Sequence, residues 1–132
     1  MKYCQDVATM MGKNACLALC YIRLFQIKAG CKDQLSPLSL LVSCYDELIQ
    51  NGSITESMFV QDPAKLIYTI FGKKVEITKS DNNTTGEWQI MNNGQHFVIG
   101  NPMGEIVWNS MDNDTAWYKL GLKNWRIMTI KE

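Results

Sequence analysis

The chain has 132 residues, 13 basic and 13 acidic side chains, one His and 46% hydrophobic residues, which predicts a single domain spanning 1–132 able to bury its core without a staple. The zero net charge argues against nucleic-acid binding driven by a basic excess, and no run of about 18 apolar residues predicts a membrane span. The N-terminus lacks the apolar stretch of a signal peptide, and an odd set of cysteines without a CxxC pair (Cys4, Cys16, Cys20, Cys31, Cys44) fits reduced thiols, so the expected location is cytoplasmic.

The first predicted helix covers 15–29, with Asn14 as N-cap and Gly30 as the left-handed residue that ends it. It is apolar on nearly all sides, so it belongs in the middle of the domain. A second helix is signalled by Ser36 as cap, Pro37 at the first helical position and the stop Asn51-Gly52, with Leu38, Leu41, Val42, Tyr45, Leu48 and Ile49 as its stripe. A short connection carrying Met58-Phe59-Val60 leads to a third helix, capped by Asp62, opened by Pro63 and closed by Gly72.

From residue 74 the apolar period changes to two. Strands are predicted over 74–78, 87–91, 95–99, 105–108 and 125–131, separated by turn clusters at 80–86, 92–94 and 101–104. Asn93-Gly94 between two such runs is a strong hairpin signal. Helices first and an antiparallel sheet afterwards gives an α+β fold, with N-terminal helices packed on a C-terminal antiparallel sheet.

Two residues stand out chemically. Cys16 begins a buried helix, where the dipole and the unpaired amides of the first turn favour thiolate over thiol. His96 opens a strand-like run, and an imidazole beside the sulfur favours the thiolate further. A Cys at the start of the central helix, a His opening a strand of the later sheet and a polar residue on the next strand together resemble the papain-like cysteine peptidases. The segment Gly12-Lys13-Asn14-Ala15-Cys16 resembles the helix start of these domains, and Gln95-His96-Phe97-Val98-Ile99 resembles the corresponding strand of bacteriocin leader peptidases. Phe59-Val60-Gln61-Asp62-Pro63 and the closing Arg126-Ile127 extend the similarity to short papain-like domains of bacteria and their prophages.

That resemblance implies a papain-like fold and hydrolysis of a peptide or related amide bond in a peptide or protein substrate. Cys16 takes the place of the nucleophile, His96 of the general base and Asn109 of the residue orienting the imidazole, with Asn101 as the second candidate for that last role. No cofactor or metal is implied. The chain departs from the family pattern at three places: Met10 stands where an oxyanion-hole Gln is usual, Ala15 replaces the glycine before the Cys, and Asn109-Ser110 replaces the Asp-Pro. These departures support a rival expectation, a catalytically inactive interaction protein on the same fold, such as a phage- or prophage-encoded inhibitor of a host defence protein.

Plainer roles compete for the same residues. Cysteine is among the most buried residue types, and Cys20 lies one turn beyond Cys16 on the same helix. Cys16, Cys20 and His96 match structural zinc spacings poorly. Trp88, Trp108, Trp117 and Trp125 read as sheet and core packing, and Asp112-Asn113-Asp114 as a solvated turn rather than a calcium loop.

Overall fold

A computed structural model describes residues 15–31, 36–80, 87–92, 97–108 and 123–131. Its first element, α1 (Cys16–Ala29), is the apolar helix expected from the sequence, and Ala18, Cys20, Ile22 and Leu24 within it are fully buried. Its C-terminus is closed by Gly30 in the left-handed conformation, with the Gly30 amide donating to the Ile27 carbonyl (3.2 Å) and the Cys31 amide to that of Gln26 (3.1 Å). This is a Schellman closure, in which two otherwise orphaned carbonyls gain partners. The N-terminus differs from expectation. Ala15 occupies the cap position and offers no side-chain acceptor, while Asn14 lies outside the described residues.

The second predicted helix is broken in two, α2 (Pro37–Ser43) and α3 (Tyr45–Gln50), with Cys44 at the junction. Ser43 donates its hydroxyl back to the Ser39 carbonyl, a bond that competes with the helical ladder and bends helices. Ser36 accepts the first intrahelical bond through its carbonyl, from Leu40, but makes no side-chain cap. The third predicted helix, α4 (Pro63–Phe71), has the expected ends: the Asp62 carboxylate accepts from the Lys65 amide at 3.1 Å, and Gly72 is left-handed. Before it, residues 53–62 fold back on themselves, with Ile54 bridged to Val60 and the Ser53 carbonyl accepting from the amides of Gln61 and Asp62.

Five strands follow: β1 (Lys74–Ser80), β2 (Gln89–Asn92), β3 (Phe97–Gly100), β4 (Ile106–Trp108) and β5 (Lys123–Lys131). They form one antiparallel sheet in the order β1-β5-β2-β3-β4, so the α+β class holds. The last strand is inserted between the first and second, an arrangement that hairpin signals between sequence neighbours do not reveal. β2 and β3 pair antiparallel with a ladder that ends at Asn92↔Phe97, and the Asn93-Gly94 turn expected between them lies outside the described residues. Ile90, Ile99, Val75 and Met128 from the sheet join the helical residues in one apolar core, with α1 lying against β2, β3 and β5 and α4 against β1. Trp88 and Trp108 pack at the margin of this core. No helix among the described residues is long and apolar enough to cross a membrane.

Candidate functional site

Packing α1 across the middle of the sheet brings its first residue to the beginning of β3. Cys16 is 2% exposed, and the amide of Phe97 acts on its sulfur in the direction that favours the thiolate, with the amides of Leu17 and Cys16 at the helix start adding smaller effects in the same direction. Leu17 and Cys16 supply the unpaired donors of a helix start. Phe97 supplies a third from the sheet, 81 positions along the chain. Two elements distant in sequence therefore meet at one sulfur.

Burial pushes the Cys16 thiol above its ordinary value, and the three amides pull it back only in part. The helix start favours the thiolate as the sequence predicts, but desolvation is the larger effect among the described residues. Cys20, fully buried one turn further on, is raised further by burial, with the neighbouring Cys16 as a smaller cause. It behaves as a small apolar core residue. Cys16, Cys20, Cys31 and Cys44 form no disulfides.

Of the other predicted site residues, His96 and Asn109 lie outside the described residues. Each adjoins a described strand end, His96 next to Phe97 of β3 and Asn109 next to Trp108 of β4, and these two strands are paired neighbours. Asn101 is a turn residue. Its side-chain oxygen accepts from the amides of Met103 and Glu105, both at 3.0 Å, and its amide nitrogen donates to the Glu105 carboxylate at 3.3 Å. With its carboxamide so engaged, it serves the 101–105 turn.

A further polar residue, unmarked by the sequence, lies opposite Phe97 across the β2–β3 ladder. Asn92 ends β2, is 6% exposed, and is the direct partner of Phe97. Antiparallel partners share a sheet face with Cβ atoms about 4.5–5.5 Å apart, so Asn92 and Phe97 share the face on which Ile90 and Ile99 meet α1. A polar residue at a strand end ordinarily reads as the start of a solvated turn. Only burial and register distinguish Asn92 from that.

On the same helix Tyr21 is buried, which raises its phenol above the usual range, while the Arg126 guanidinium on β5 opposes this through charge and a hydrogen bond. This pair ties α1 to the centre of the sheet. Among the described residues there is no cluster of three His, Cys, Asp or Glu side chains able to hold a metal ion. No family model matches the chain, and neither a curated protein nor a solved structure matches it.

Proposed function

We propose that the chain is a compact papain-like thiol hydrolase acting on a peptide or related amide bond. Cys16 is the nucleophile, His96 the general base and Asn109 the residue that orients the imidazole. The observation that carries this reading is the meeting of the α1 N-terminus with the start of β3: the amide of Phe97, next in sequence to His96, acts on the Cys16 sulfur.

The chemistry follows from those roles. His96 takes the thiol proton, the sulfur attacks the amide carbonyl, and charge develops on the carbonyl oxygen. The amides of the first turn of α1 are the available donors to that oxyanion, in the absence of the usual glutamine at position 10. Protonated His96 gives its proton to the departing amine as the carbon–nitrogen bond breaks and leaves a thioester. Water, deprotonated by His96, then releases the acid and regenerates the thiol.

The near-complete burial of Cys16 and its raised thiol favour a second reading, a catalytically inactive papain-like protein that acts by binding a partner protein. A phage- or prophage-encoded inhibitor of a host defence protein is one example of such a role. The two readings part on labelling by a peptide-like, thiol-directed electrophile. The hydrolase reading expects labelling that Cys16→Ala abolishes and His96→Ala sharply reduces. Equal labelling of wild type and both variants rejects it and leaves the binding role.

A further inference from the structure

The Phe97 amide acts on the Cys16 sulfur from the end of the β2–β3 ladder, where α1 packs on β3. A strand end frays unless something holds it. Asn92 is the residue opposite, and it is one of only four buried polar or charged residues among those described, with Gln26, Ser53 and Gln89. Burying a carboxamide is costly unless it is hydrogen-bonded, so an Asn at this position holds its place through polar contacts that Leu or Val could not make.

The sheet is also irregular at this point. Ile90 pairs with Arg126 and Asn92 with Lys123, so β5 advances three residues while β2 advances two. An extra residue of this kind twists the ladder locally and re-aims the side chains beside it, and such bulges gather next to functional sites. Asn92 therefore combines burial, register opposite Phe97 and a ladder irregularity at a single position.

We propose that Asn92 is a positioning residue of the thiol site: its carboxamide fixes the β2–β3 end so that the Phe97 amide meets the Cys16 sulfur. Asn92 acts through Phe97. The functional meaning of this role rests on the hydrolase reading, because the same strand end leads directly back to His96.

The experiment is an ultraviolet thiolate titration of Cys16, taken as wild type minus Cys16→Ala, and repeated in Asn92→Ala and Asn92→Leu backgrounds. The first variant removes the carboxamide, and the second replaces it with an apolar group of similar size. In a variant that keeps the wild-type near-ultraviolet circular dichroism, weakening one charge-assisted hydrogen bond should lower the thiolate fraction about tenfold at a given pH below the midpoint. An unchanged titration in a folded variant overturns the proposal. Failure of both variants to fold also overturns it, since Asn92 is then a residue of the fold and not of the site. His96→Ala, titrated in parallel, tests the hydrolase reading separately. If it leaves the Cys16 titration unmoved the hydrolase reading fails, while the Asn92 variants still report whether Phe97 has been displaced.

Discussion

The two ends of α1 are built for different purposes. At the C-terminal end each device is one that stabilises helices: a left-handed glycine, two closing hydrogen bonds, Lys28 in the last turn paired with Glu87 at 3.3 Å, and Phe25 stacked on Phe71 of α4 with ring centroids 4.4 Å apart. At the N-terminal end the cap residue is Ala15, which has no side-chain acceptor, and the first turn has no acidic residue to meet the dipole. The amides there act on a cysteine sulfur and are joined by one from the sheet. One end is closed by the helix itself; the other is completed by a different part of the chain.

The largest effect that would break this contrast comes from the stabilised end. Phe25→Ala removes a ring that is almost fully buried and stacked, and should cost about 3–5 kcal/mol in denaturant unfolding. Gly30→Ala is milder. A Cβ there meets nothing within 4 Å, so the cost is conformational only, about 1–2 kcal/mol for holding a non-glycine residue left-handed. The Cys16 titration should remain as in wild type for Gly30→Ala, since the closure at one end of α1 shares no residue with the thiol site at the other.

Asp62→Ala supplies the comparison with a helix that does carry a side-chain cap. Removing the carboxylate that accepts from the Lys65 amide should destabilise the protein by about 1 kcal/mol. The smallest effect is on pH dependence. Burial raises Cys20 well above the ordinary thiol value, so the unfolded chain releases this proton first and then binds fewer than the native state. Stability should be independent of this group below about pH 8 and fall as pH rises through about 8.5, where an unfolded thiol ionises. Cys20→Ala should flatten that slope when unfolding is measured across this range, and an unaltered slope would contradict the assignment.

Where local rules decide, the sequence was informative. Gly30, Asp62-Pro63 and Gly72 mark helix ends because capping depends on single residues. The alternation after residue 74 marks β1, where Val75 is buried between exposed Lys74 and Glu76, whereas β2 and β3 are buried on both faces. The break at Cys44 was hidden, since it turns on the Ser43 hydroxyl choosing a backbone carbonyl over water. The insertion of β5 between β1 and β2 was hidden for a different reason, that strand order is a tertiary property. At the site, Cys16 stood out as a thiol at a helix start, but its burial did not, because the sequence does not say how deeply a helix end is covered. Asn92 and the Phe97 amide carry no sequence signal at all and emerge only from register.

The most direct test of the central claim is the pH profile of Cys16 alkylation by limiting iodoacetamide, followed by intact mass, in wild type, Cys16→Ala and His96→Ala. An active Cys16–His96 pair predicts fast modification of Cys16 below pH 7 that slows markedly without His96. Slow modification rising only near the ordinary thiol pKa of about 8.5, and equal in wild type and His96→Ala, would contradict it.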